Sequence, residues 1–303
     1  MTISTIGVPM DLGADRRGVD MGPSAIRYAG LASTLGSIGR SYVDAGDLTV
    51  PHAEERDPEA GSIEANAKYL DEVESVCTRL ADEVASSLDS GALPLVLGGD
   101  HSIAIGTLAG ASRDAEIGAI WFDAHSDVNT PETTPSGNVH GMPLAAALGM
   151  GTFGDTPWAN APGLREENVV LVGLRSVDEP ERERIRDSAI TAYTMSDIDQ
   201  RGVVDVTEEA LDIATDGVDG AHVSLDLDWL DPSYAPGVGT PVRGGVTYRE
   251  AHSALETVAD RDEHEGVLRS FELVEANPIL DSHNETAELG VELLASALGK
   301  RVL

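Results

Sequence analysis

Short apolar runs alternate along this chain with longer stretches in which apolar residues recur every three or four positions. Runs of the first kind are predicted strands buried on both faces, and stretches of the second kind are helices with one apolar face. Eight strands are predicted, near residues 3–8, 40–44, 93–97, 117–123, 168–172, 190–194, 221–227 and 267–274. The clearest helix is predicted over about 64–90, where Tyr69, Val73, Val76, Leu80, Val84 and Leu88 form a core-facing stripe. A last helix carries Ala287, Val291, Leu294 and Leu298 on one face. This alternation runs from end to end without a repeat or a linker. It predicts an α/β fold in which residues 1–303 form a single three-layer domain, with a mostly parallel, about eight-stranded sheet flanked by helices. Loops rich in Pro and Gly at 128–143 and 231–245 follow strands, which is where open parallel sheets carry their sites.

Composition narrows the partners. Asp and Glu number 53 against 20 Lys and Arg, a net charge of −33, and Lys68 and Lys300 are the only lysines. Such a surface repels phosphate backbones and anionic lipids, so neither nucleic acid nor a membrane is an expected partner. Concentrated salt would screen the self-repulsion, so a halophilic host is expected. The first strand follows Met1 almost directly, without the basic start and long apolar stretch of a secretion signal, and a cytoplasmic location is expected. Cys77 is the only cysteine, which excludes an intrachain disulfide, and its apolar helical setting suits an inert thiol.

Chemistry concentrates at three strand ends. The strand at 117–123 runs into Asp123, His125 and Asp127, which point the same way if the chain stays extended. Asp226 and Asp228 repeat the device after the strand at 221–227. His101 follows Gly98 and Gly99, a glycine pair that turns the chain out of the strand at 93–97. Partly buried carboxylates so placed repel one another unless cations neutralise them. Four carboxylates and two imidazoles suit two divalent ions, and oxygen-rich, thiolate-free ligation favours Mn²⁺. Two such ions can bridge a water and lower its pKa towards neutrality, the chemistry of a two-metal hydrolase.

These motifs resemble the ureohydrolase family, and within it the bacterial arginases. The resemblance rests on Gly98-Gly99-Asp100-His101-Ser102, Phe122 to Asp127, and Ser224 to Asp228 with Pro241. Gly7 to Gly13, Arg17 to Pro23 and Val274 to Pro278 extend it over nearly the whole chain. It implies two Mn²⁺ per subunit, one held by His101 and Asp127, the other by His125 and Asp228, with Asp123 and Asp226 bridging. It also implies L-arginine as substrate, its α-carboxylate bound by Asn129 and Ser136, its α-amino end by Asp178, and its guanidinium by Glu275 beside Thr240. By the same resemblance metal-bridging hydroxide attacks the guanidinium carbon, Asp127 relays a proton to the leaving amine, His140 acts as proton shuttle, and L-ornithine and urea leave. Agmatinase or another guanidino-acid ureohydrolase is the alternative, although agmatine has no carboxylate for Asn129 and Ser136. A catalytically silent relative would not need the complete ligand set, and a phosphoesterase would need more Arg or Lys in these loops. Thr247 to Glu250 resembles an intersubunit segment, implying a homotrimer or homohexamer with Arg249 and Glu250 at the interface. Trp229 departs from the family, which commonly has glycine there. It either packs beneath the loop or reshapes the rim, with backbone strain if the position needs a positive φ.

Overall fold

The apolar runs become the strands of one sheet. The computed structural model describes residues 2–58 and 66–301. Its strands are β1 (Thr2–Val8), β2 (Ser41–Asp47), β3 (Ala92–Gly98), β4 (Ile117–Phe122), β5 (Leu164–Leu174), β6 (Thr191–Thr194), β7 (Gly220–Asp226) and β8 (Leu268–Val274). Their order is β2-β1-β3-β8-β7-β4-β5-β6, and every pairing is parallel, where a mostly parallel sheet was expected.

Alternation along the strands divides the core in two. On β4, Ile117, Ala119 and Trp121 face one apolar layer, and Ile120 and Phe122 face the other. Helices α1 (Leu70–Asp89) and α2 (Ala104–Ala111) contribute apolar residues to the first layer. Helices α4 (Val203–Ala214), α5 (Tyr248–Glu265) and α6 (Glu285–Ala297) contribute to the second. A shorter helix, α3 (Glu179–Asp187), follows β5. The edge strand β2 is largely exposed, and Arg27 ties it down through Asp44 at 2.8 Å and Asp47 at 2.5 Å. Charged residues on an edge also discourage pairing with other chains.

The long helix begins later than its periodicity predicts. Tyr69 takes a left-handed φ of 53°, which no α-helix continues through, so α1 starts at Leu70. Residues 64 and 65, the start of the predicted span, lie outside the described residues. Leu298 lies just past α6 as its cap residue and remains buried.

Two tight approaches shape the carboxyl end of the sheet. A Cβ at Gly99 would lie 2.5 Å from the Met10 carbonyl oxygen, so only glycine lets the turn after β3 press on the end of β1. The Gly99 carbonyl in turn accepts the Glu275 N–H at 2.9 Å, joining the end of β8 to the same corner. Trp229 makes the second. It takes no positive φ, so the anticipated strain is absent, and it lies fully buried, its ring 4.7 Å from Phe122. Gly173, at φ 101°, leaves room for the indole, since a Cβ there would come within 2.2 Å of Trp229 Nε1. Trp229 therefore packs beneath the loop and does not form the rim. Truncating it to alanine should lower the unfolding free energy by about 3–5 kcal/mol in denaturant titration. A loss below about 1 kcal/mol would show that the ring is not part of the core.

Candidate metal centre

Each ligand-type residue lies at or just past the carboxyl end of a central strand, Asp226 being the last residue of β7. His101 opens a short 3₁₀ turn, His101–Ile103, capped by Asp100, whose Oδ1 accepts the Ser102 N–H at 3.0 Å. β4 ends at Phe122, so Asp123 to Asp127 lie on a loop and not on a continuing strand. Their convergence has a different cause from strand alternation. Asp123 Oδ1 accepts the His125 N–H at 2.7 Å, folding the chain back, and Asp127 adopts φ 52°. Asp226 repeats the turn, accepting the Asp228 N–H at 2.7 Å and starting the 3₁₀ turn Leu227–Trp229.

All six expected ligands meet. His101 Nδ1 lies 3.1 Å from Asp123, 3.0 Å from Asp127 and 3.3 Å from Asp226. His125 Nδ1 lies 3.0 Å from Asp228 and 3.4 Å from Asp123. Two sets have ligand atoms close enough to share an ion, His101 with Asp123 and Asp226, and Asp123 with His125 and Asp228. Asp123 belongs to both. Trp121 forms a wall of the centre, stacking on the His101 ring at 4.3 Å and donating its indole N–H to Asp123 Oδ2 at 3.1 Å. Thr240 donates to Asp228 Oδ2 at 2.9 Å.

The electrostatics of the cluster call for cations. Burial pushes the Asp226 carboxyl well up, helped by Asp228 and Asp123, and burial with Asp123 pushes Asp127 up to about 6. Burial also raises Asp228, whereas the two imidazoles hold Asp123 low against its own burial. Burial alone would lower both histidines, but the facing carboxylates lift His101 well above its ordinary value and His125 to about 12. His101 Nδ1 has no hydrogen-bond partner although it is buried and aimed into the carboxylates. A nitrogen lone pair and carboxylate oxygens, with no thiolate among them, fit hard or borderline divalent ions. The residues present therefore fit a binuclear metal site.

A cavity of about 230 Å³ opens over the cluster, lined by His101, His125, Asp127 and Asp226, with Asn129, Ser136, His140, Asp178 and Thr240 further along its walls. Asn129 donates to Asp178 at 2.9 Å and accepts from Thr133 at 2.8 Å, which fixes both faces of its amide. Asp178 caps α3 in a capping box with Glu181, receiving the Glu181 N–H at 2.9 Å. Glu275, like Asp127, is left-handed, at φ 65°, and its Oε1 accepts from His101 N at 3.1 Å and faces His140 Nδ1 at 3.1 Å. Burial would raise Glu275, but His140 holds it low; burial would lower His140, but Glu275 raises it. Sequence reasoning missed Glu181 and Asn138, which also line the cavity. Burial pushes the Glu181 carboxyl up to about 7, and Ser126 donates to it at 2.8 Å. Its spacing of three from an Asp that precedes a helix was a readable capping-box signal. Arg249 is exposed on the first turn of α5, and Glu250 closes a capping box with Thr247. A wider groove of about 500 Å³, lined by Leu174, Val177, Arg182 and Ile185 among others, includes none of the six clustered residues.

Comparison with known proteins agrees with this geometry. The Arginase family model matches residues 1–299. The arginase of Bacillus caldovelox is 50% identical over 303 residues, covering 99% of both chains. That of Bacillus subtilis is 50% identical over 304 residues, covering 100% of this chain and 99% of its own. The crystal structure of the Bacillus caldovelox arginase superposes with a TM-score of 0.93 at 49% identity, covering 100% of this chain and 99% of that one.

Because protonated imidazoles cannot ligate, ions must displace the protons that the carboxylates hold on His101 and His125. Calorimetric titration of the metal-free protein with Mn²⁺, in two buffers of different ionisation enthalpy, should show proton release, with affinity weakening as pH falls. Identical heats in both buffers would contradict this.

Proposed function

The chain belongs to the arginase family, and we propose that it hydrolyses L-arginine to L-ornithine and urea at this centre. The carrying observation is that one cavity joins the six-ligand cluster to Asn129, Ser136 and Asp178, polar groups suited to an amino-acid end. Two bound divalent ions would supply a water acidified to near neutral pH.

This chain's residues do the rest. His101 and Asp127 would hold one ion, His125 and Asp228 the other, and Asp123 and Asp226 would bridge. Mn²⁺ is the ion best suited to these donors. Ser136 and Asn129 bind the substrate α-carboxylate, and Asp178 takes the α-amino group. Glu275 Oε1 is occupied by His140 and the His101 N–H, so Oε2, which lies against Gly239, is the oxygen left for the guanidinium. Asp127 would accept the water's proton through a carboxylate oxygen and pass it to the leaving amine. Glu275 pins His140 at Nδ1, which leaves Nε2 to exchange protons with product and solvent.

The setting is also part of the proposal. The protein works in the cytoplasm of a halophile, its −33 charge suited to high salt, and among the described residues no helix is long and apolar enough to cross a membrane. Arg249 and Glu250 lie at the interface of a homotrimer or homohexamer, which light scattering in molar KCl would show; a monomer there would contradict it.

After Mn²⁺ loading, urea release from L-arginine should far exceed that from agmatine and should be faster in molar KCl than in dilute buffer. Preference for agmatine would overturn the substrate, and no gain from salt would overturn the halophilic setting. Replacing His140 with alanine should lower turnover on the order of 10²-fold while both metals stay bound; loss of metal in that variant would refute the shuttle role.

A further inference from the structure

The two central strands carry a line of polar side chains through an otherwise apolar layer. Alternation on β7 sends Ala221, Val223 and Leu225 to one core layer and His222, Ser224 and Asp226 to the opposite face. On β8 the register sets Ser270 beside His222 and Glu272 beside Ser224. His222, Ser224, Ser270 and Glu272 are all fully buried. Burying four such groups side by side destabilises the fold unless they satisfy one another's hydrogen bonds.

Their geometry runs in one direction. Ser224 donates its hydroxyl to Glu272 Oε1 at 2.8 Å. With its proton so used, Ser224 Oγ can only accept at its 2.7 Å contact with His101 Nε2. His101 must therefore carry a proton on Nε2. The lone pair of Nδ1, the atom facing Asp123, Asp127 and Asp226, is thereby kept for an ion. On the far side of Glu272, His222 Nε2 faces Oε1 at 3.3 Å without hydrogen-bond geometry while its Nδ1 meets Ser270 at 2.8 Å, so the imidazole anchored by Ser270 packs against the carboxylate. Trp121, stacked on the His101 ring, prevents the imidazole from turning out of this line. His125 lacks such backing: among the described residues no hydrogen bond reaches its Nε2.

We infer that Ser270, His222, Glu272 and Ser224 form a buried positioning relay that fixes the tautomer and orientation of His101 and thereby sets the affinity of one of the two metal positions. None of the four lines the cavity over the cluster, and their effect on turnover passes through His101. The inference rests on the reading that the six-ligand cluster holds two ions.

The test is titration of the metal-free full chain with Mn²⁺, followed by calorimetry and by metal analysis after gel filtration. Wild type should take two ions per chain. Ser224→Ala should weaken one of them about 10- to 100-fold, the usual effect of removing a partner behind a ligand, and leave the other near its wild-type affinity. Ser224→Thr, which keeps the hydroxyl, should restore the second ion, and a purely structural role for Ser224 would not produce that rescue. Glu272→Asp, which withdraws the carboxylate without removing it, should weaken the same ion. Wild-type affinity for both ions in Ser224→Ala and Glu272→Asp would overturn the relay. Failure of wild type itself to bind two ions would instead overturn the reading of the cluster.

Discussion

Mutual repulsion among Asp123, Asp127, Asp226 and Asp228 is the constraint around which this molecule is organised. Each is buried, and burial with neighbouring carboxylates raises three of the four towards neutrality. Protons shared with His101 and His125 offset part of that repulsion in the metal-free chain. Two divalent cations would offset all of it, four positive charges against four negative ones. A site that is costly without cations and neutral with them binds them tightly, and it leaves the cavity above receptive to a further cationic group such as a guanidinium.

The sheet makes this concentration of charge possible. β3, β4 and β7 end at the same edge of an all-parallel sheet, and β8 lies between β3 and β7. The strands deliver the residues to that edge, and the turns that follow aim them. Asp123 and Asp226 each fold the next two residues back through their own carboxylates. Asp127 and Glu275 sit in left-handed backbone, which costs about 1–2 kcal/mol each for a non-glycine residue. Such conformations persist only where surrounding contacts enforce them, and they cluster at functional sites. Here Gly99 supplies part of that enforcement, since its carbonyl holds the Glu275 N–H.

Much of this was legible in the residues. The runs that became the central strands were readable because a parallel sheet buried on both faces needs no alternation of polarity to be recognised, whereas the exposed edge strand β2 mixes polar with apolar residues. The six candidate ligands stood out because rare histidines sat with aspartates just past such runs. The manner of their convergence was not legible, since extended geometry was assumed where the chain turns. The start of α1 was missed because an apolar stripe continues through Tyr69, and only the backbone reveals that residue's left-handed turn. For Trp229 the sequence left packing beneath the loop and reshaping of the rim both open, and the space left by Gly173 draws its ring inward. His222, Ser224 and Glu272 were the hardest to read. Single polar residues inside apolar strands become a line only when the register of β7 against β8 is known.

The central claim is that one buried cluster holds two ions that share Asp123. Electron paramagnetic resonance of the metal-free protein titrated with Mn²⁺ tests it directly. The account predicts two equivalents bound per chain and, at saturation, the multiline spectrum of an exchange-coupled pair. A single equivalent, or two that give only the six-line signal of isolated ions, would contradict it.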